Sequence, residues 1–231
     1  LISLLAMKKI LILLNLCLFF GLVNEVKAQD PTFSQFFANP LYLNPAMAGT
    51  NICPRISLNH RNQWPGIGKT YVTYSASYDQ YVDKIGGGLG FAIAKDVAGA
   101  GNLNTTHISA TYSYRLKINK RLSINAGFEA AYRQLGIDWQ NLTFGDMIDP
   151  VQGFIYPTNE DIVNYSNSKG FTDFATGFMG FGNANNQFDY YFGFAAHHIT
   201  MPDQGFIGES RLPTKITANL GASFPLNRFG T

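Results

Sequence analysis

The residues with the chemistry to act on a substrate are few and scattered. His60, His107, His197 and His198 are the four histidines of the 231-residue chain. None has the spacing that places two imidazoles on one helix face for zinc. His197 and His198 are adjacent in an alternating run and are expected to point to opposite faces of a strand. Asp146, Asp149, Glu160 and Asp161 share the stretch 139–170, but no Asp-x-Asp-x-Asp-Gly pattern gathers the oxygen ligands that calcium needs. That stretch reads as a solvated loop. No Gly-x-Ser-x-Gly elbow occurs, no Gly-rich phosphate loop ending in Lys-Ser/Thr, and no Cys-x-x-Cys. Gly86-Gly87-Gly88-Leu89-Gly90 leads into an alternating run rather than a helix, which is how a barrel corner uses glycine. His107 and Ser109 share a face of such a run, as a barrel enzyme would require, but so do many other polar residues. The expectation is a protein that is not an enzyme and has no cofactor and no metal.

Composition narrows the class. Charged residues make up 14% and aromatic residues 14%, with Lys+Arg 17, Asp+Glu 15 and a net charge of +2. An average domain carries about 25% charged residues. A disordered chain would be charged and aromatic-poor. A nucleic-acid binder would carry a basic footprint, so no nucleic-acid partner is expected. A helical membrane bundle needs repeated apolar runs of about 20 residues, and only the N-terminus approaches one.

That N-terminal run has the order of an export signal: Met7-Lys8-Lys9, then an apolar stretch from Ile10 to Val23, then Val26-Lys27-Ala28 as a cleavage site. Residues 1–28 are expected to be a cleaved signal peptide, with 1–6 a spurious upstream extension. No small residue precedes Cys17, which argues against a lipoprotein. Cleavage removes Lys8, Lys9, Lys27 and Glu25 and leaves positive and negative charges balanced. It also removes Cys17, so Cys53 can form neither an internal disulfide nor a zinc site; it is expected to be small and partly buried.

The elements that must position these residues are amphipathic strands. Ile108, Ala110, Tyr112, Tyr114 and Leu116 alternate with His107, Ser109, Thr111, Ser113, Arg115 and Lys117. Leu122, Ile124, Ala126, Phe128, Ala130 and Tyr132 alternate with Ser123, Asn125, Gly127, Glu129 and Arg133. A period of two is a strand with one apolar face. Matching apolar to apolar across loop 119–121 pairs Leu116 with Ile124, Thr111 with Glu129 and His107 with Arg133. A slip by one residue would carry Arg115 to the apolar face. Further strands are expected at about 55–64, 70–82, 87–97, 171–183, 188–200 and 213–225, about eight in all. Connections 83–86, 119–121 and 184–187 are short and alternate with 65–69, 98–102, 139–170 and 201–212. Short turns on one side and long loops on the other are the pattern of an outer-membrane barrel. Strand length and a Tyr- and Phe-rich apolar face favour that barrel over a secreted β-sandwich. Arg115, Lys117, Glu129 and Arg133 are then candidate charges of the lumen, and Trp64 belongs at the membrane interface.

An ordered set of fragments follows the signal: Asp30-Pro31, Phe33-Ser34-Gln35-Phe36, Asn44-Pro45-Ala46-Met47-Ala48-Gly49-Thr50, Arg61-Asn62-Gln63-Trp64-Pro65-Gly66-Ile67, Tyr78-Asp79 and Gly87-Gly88-Leu89-Gly90-Phe91. Later strands add Tyr112-Ser113-Tyr114-Arg115-Leu116 and Phe192-Gly193-Phe194. The set resembles the PorP/SprF family of type IX secretion system membrane proteins of Bacteroidota, over about residues 29–226. The resemblance implies an antiparallel transmembrane β-barrel of the outer membrane that supports secretion or surface attachment of proteins such as gliding-motility adhesins. Its implied partners are other type IX components, a secreted protein with a type IX C-terminal signal, and outer-membrane lipid. Alternatives are a porin-like channel or a barrel enzyme. Family members run on for several more strands, so the sequence, ending in a turn at Asn227–Thr231, is expected to be a C-terminally truncated barrel. Residues 29–54 are expected to form a periplasmic or lumenal segment and 55–231 the incomplete barrel. Asp30, Pro31, Phe33, Gln35, Asn44, Pro45, Gly49, Arg61, Gln63, Trp64 and Gly66 are candidate partner-docking residues. Asn-Pro and Pro-Gly are also turn formers, so the same residues could instead cap the barrel and fix the first strand.

Overall fold

The computed structural model describes residues 30, 33–51, 53–66, 71–99, 103–119, 121–160, 165–184 and 188–223. The segment 1–28 expected to be a signal peptide, Pro31 and Asp161 lie outside these. Eight antiparallel strands form one sheet: β1 (Arg55–Gln63), β2 (Tyr71–Val82), β3 (Gly87–Ala98), β4 (Leu103–Lys117), β5 (Leu122–Ile137), β8 (Ser168–Ala184), β9 (Phe188–His197) and β10 (Lys215–Ser223). Each pairs with its neighbour in chain order. A minimal hairpin, β6 (Ile148–Asp149) with β7 (Gly153–Phe154), stands apart in the longest connection.

The register follows the alternation. Leu116 lies opposite Ile124, Thr111 opposite Glu129 and His107 opposite Arg133, as matching of the apolar parity requires. At 15, 16 and 17 residues, β4, β5 and β8 are far longer than the usual globular strand of about 5–6.

The sheet curls into a half-barrel, open along β1 and β10; these described strands do not close on each other into a cylinder. An eight-stranded barrel has an interior just wide enough for its own side chains. Here backbone from the N-terminal segment occupies the concave face, so the curvature must be gentler.

One parity of every strand faces outward and is mostly apolar. Ile56 is 72% exposed, Leu58 77%, Ile216 77% and Leu220 85%. The other parity faces the concave side, where Thr73, Ser75, Ser77, Asp79, Ser109, Thr111, Ser113 and Asn125 are buried. The sheet thus carries its polar residues inside and its apolar residues outside. No helix among the described residues is long and apolar enough to cross a membrane.

Two expectations are corrected. His197 and His198 do not point to opposite faces. His197 is the last ladder residue of β9, and His198 turns out of the strand at φ 58°, so both side chains are buried. Cys53 is exposed, because it sits in the link between the N-terminal segment and β1 rather than within a strand.

Candidate functional site

The N-terminal segment is built from prolines and asparagines. Pro40 starts the single-turn helix α1 (Pro40–Leu43), and Pro45 starts a 3₁₀ turn through Met47. A first-turn proline costs no hydrogen bond, because that N–H has no partner in a helix. Between them Asn44 is extended and fully buried. Its Oδ1 accepts from Ala46 N–H at 2.9 Å, capping the turn. Its Nδ2 donates to the carbonyls of Phe178 in β8 and Phe194 in β9, each at 3.2 Å. One side chain therefore closes a turn and ties it to two strands.

The other inward residues complete this attachment. Asn39 Nδ2 donates to Ser75 Oγ at 3.1 Å. Thr217 Oγ1 in β10 donates to Leu43 O at 2.8 Å, and His197 Nε2 lies 3.3 Å from the same oxygen. Ser113 Oγ and Asn125 Nδ2 both donate to Ala46 O at 3.2 Å. Arg115 Nη2 donates to Gly49 O at 2.7 Å while its guanidinium lies over the Tyr81 ring. Gly49 N–H donates to Asp79 Oδ2 at 2.8 Å. Asp79 also receives Arg55 in a fork, Nε on Oδ1 at 2.8 Å and Nη2 on Oδ2 at 3.0 Å. Arg55 Nη2 reaches Met47 O as well, at 3.1 Å. The backbone polar groups of a buried irregular segment must find partners, and the polar parity of the sheet supplies them.

Room for the segment comes from glycines on that same parity. A Cβ on Gly127 would lie 2.2 Å from Ala46 N, one on Gly177 2.0 Å from Asn44 Oδ1, and one on Gly88 2.1 Å from Ala48 O. Gly49 takes φ 63°, the left-handed turn that delivers the chain toward β1. Sequence reasoning placed Gly127 on the polar face but missed what it admits. Small residues recurring on one parity, opposite a segment rich in Asn and Pro, are the signal.

A second cluster lies toward the long connections. Thr111 Oγ1 donates to Glu129 Oε2 at 3.2 Å. Asp173 Oδ2 forms an ion pair with Arg133, whose Nε lies 3.3 Å away, and lies 2.6 Å from His198 Nδ1. His198 O accepts from Thr214 Oγ1 at 3.2 Å, and Ile199 N–H donates to Phe174 O at 3.0 Å. The network fastens the connection after β9 to the sheet. Asp173 was not singled out from the sequence, and His198 was read only as one of four scattered histidines, because their partners lie on other elements.

The long connections are braced beyond this cluster. Trp139 is buried, donates from Nε1 to Ser166 O at 3.0 Å and meets Phe206 edge-on. Asp203 accepts from Lys169 Nζ, from Ser210 N–H and from Gly205 N–H. The Lys169 hydrogen bond foremost, with the backbone N–H groups, holds the Asp203 carboxyl well below the usual carboxylate range.

The remaining candidates are not gathered with the segment. Phe33 packs edge-on against Tyr42 and Gln35 is exposed. Arg61 donates to Gln63 Oε1 at 2.6 Å at the far end of β1. Trp64 is exposed at φ 57°, against Tyr71, and Gly66 is exposed in the turn that follows. Lys117 is exposed beside the short 118–121 turn, and Asp30 is half-buried. No cluster of metal-ligating side chains occurs among the described residues.

The geometry defines an up-and-down antiparallel half-barrel whose concave face holds its own N-terminal segment. Residues 25–231 match the family of the type IX secretion system membrane protein PorP/SprF, and the chain belongs to that family. No curated protein and no solved structure matches it.

Proposed function

We propose that this protein is an outer-membrane β-barrel accessory of the type IX secretion system that supports export or surface attachment of proteins such as gliding-motility adhesins. It acts by binding, and residues 1–28 direct its export as a cleaved signal. The family supports a role among other type IX components, and the inverted polarity of the sheet supports a lipid surrounding for the outward face. The observation that carries the binding role over a diffusion pore is the segment 39–50 on the concave face. It is held through hydrogen bonds with β2, β4, β8 and β10, which suits a scaffold and obstructs a channel. In this reading Asn44, Pro45, Gly49 and Arg115 fix the interior. Asp30, Pro31, Phe33, Gln35, Arg61, Gln63, Trp64 and Gly66 are the residues offered to partners. Glu129 and Arg133 hold the interior toward the long connections, and Lys117 marks the short-turn mouth.

Deleting the gene tests this. Surface proteins with type IX C-terminal signals should be retained in the periplasm or released from the cell. Their normal display would overturn the reading. Purified protein in planar bilayers should show no steady conductance; an open channel of nanosiemens scale would favour the porin alternative.

A further inference from the structure

Outward positions on the eight sheet strands carry one charged side chain among the described residues, Lys95. Pairing places it opposite Tyr74 in β2, and Tyr74 opposite His60 in β1. The His60 ring stacks on Tyr74 with centroids 4.9 Å apart. On its other side Lys95 pairs with Thr106, and Thr106 with Gln134. The row is therefore polar throughout. The next row toward the short turns is Leu58, Ala76, Ile93, Ile108 and Tyr132. Lys95 thus stands where the apolar outward face gives way to polar residues, at the end that carries the long connections. Trp64 and Tyr71, packed edge-on, lie at the same end, as interfacial aromatics do. Beneath the row is a groove of about 440 Å³, lined by Leu58, Ala76 and Ile93 below and by His60, Tyr74 and Lys95 above.

We propose that this groove is a binding site for an anionic phospholipid, with Lys95 and His60 on the phosphate and an acyl chain over Leu58, Ala76 and Ile93. Strand spacing of about 4.8 Å puts the two residues roughly 10 Å apart at the backbone, a span that a lysine and an imidazole can close on one phosphate group. The phenol of Tyr74 lies between them. No ion pair engages Lys95 among the described residues. A lone cation on a lipid-facing surface is costly at mid-bilayer and tolerable only near the interface. Near anionic headgroups it becomes favourable. Snorkelling would bring any lysine to the polar layer; it does not require a stacked histidine and an apolar groove in register with it.

The proposal rests on the membrane reading above, and the test separates the two. The full chain is first incorporated into phosphatidylcholine vesicles and its strands probed by protease protection. Failure to insert overturns the membrane reading and the lipid site with it. Next, lipid retained by the purified protein is counted by native mass spectrometry from mixed phosphatidylglycerol and phosphatidylcholine. Wild type should retain phosphatidylglycerol selectively, and Lys95→Gln should weaken that retention about fivefold. His60→Gln should weaken it less. Lys84→Gln, in the turn at the opposite end, should leave it unchanged. Excess inorganic phosphate should not displace the lipid. Insertion with equal retention by wild type and Lys95→Gln would reduce Lys95 to a snorkelling residue. Displacement by inorganic phosphate would show an anion site without a lipid. Either result overturns this proposal and leaves the membrane reading standing.

Discussion

The two faces of the sheet share every strand and differ in how each residue is chosen. Outward positions form mostly a field of exposed aliphatic and aromatic side chains, such as Ile56, Phe91, Ile108, Phe128 and Leu220. Inward positions are specified one by one. Asn125 meets Ala46 O, Thr217 meets Leu43 O, and Gly127 is empty because Ala46 backbone fills its space. An apolar surrounding asks only for apolar area, which many side chains supply. A buried backbone segment asks for a donor or an acceptor at a fixed place, and its absence is penalised in full.

The sharpest way to break this contrast is at Asp79. Its carboxylate binds Gly49 N–H and the Arg55 fork together, with Asp79 itself almost fully buried. Asp79→Ala leaves a largely buried guanidinium without its counter-charge and should cost about 3–5 kcal/mol. Urea unfolding in detergent micelles, followed by tryptophan fluorescence, measures it. The double variant Arg55→Ala/Asp79→Ala should recover part of the loss. If Asp79→Ala alone costs nothing, the inward face is not individually specified.

Gly127→Val should come next. Its Cβ would meet the Ala46 backbone at 2.2 Å, and overpacking of this kind costs about 1–3 kcal/mol or displaces the segment. Limited proteolysis near residues 39–50 reads the displacement. Asn44→Ala should cost a similar or smaller amount, about 1–3 kcal/mol, by stranding Ala46 N–H and removing the tie to β8 and β9. By contrast Leu220→Ile, on the outward face, should change stability by less than about 1.5 kcal/mol. A large effect there would mean that the outward face has a shaped partner rather than a fluid one.

The strands were legible because alternation and turn chemistry agree at every hairpin. Leu116 against Ile124 follows from parity alone. The placement of Asn44-Pro45 was not legible. Both residues are turn formers, and whether the turn lies inside or outside depends on contacts more than a hundred residues away in β8 and β9, to Phe178 and Phe194. His198 was misread for a related reason. Alternation assigns it to β9, but its contact with Asp173 and its left-handed backbone turn it out of the ladder. Asp79 was visible as a carboxylate among Thr73, Ser75 and Ser77, yet nothing nearby in sequence announces Gly49 as its partner.

The smallest expected effect lies at the exposed end of the long connections. Asp203 accepts from Lys169, Ser210 N–H and Gly205 N–H, and its carboxyl titrates below the ordinary value. A depressed folded-state value means that the loop gains stability above the unfolded carboxylate range, about pH 4. That gain is lost as the pH falls through the lower folded-state value. The connection 198–214 should therefore keep its order at pH 5 and loosen only in strong acid. Hydrogen exchange at Gly205 and Ser210, compared between wild type and Asp203→Asn, measures it. The variant should show lower protection at neutral pH, and its protection, referred to the intrinsic exchange rate at each pH, should not change on acidification to about pH 4. The strands should show no change in either protein, because Asp203 ties one connection to the end of β8 and does not enter the interior. Exchange that rises in the strands as well would mean that the long connections brace the whole half-barrel, and the inward face would no longer account for its own stability.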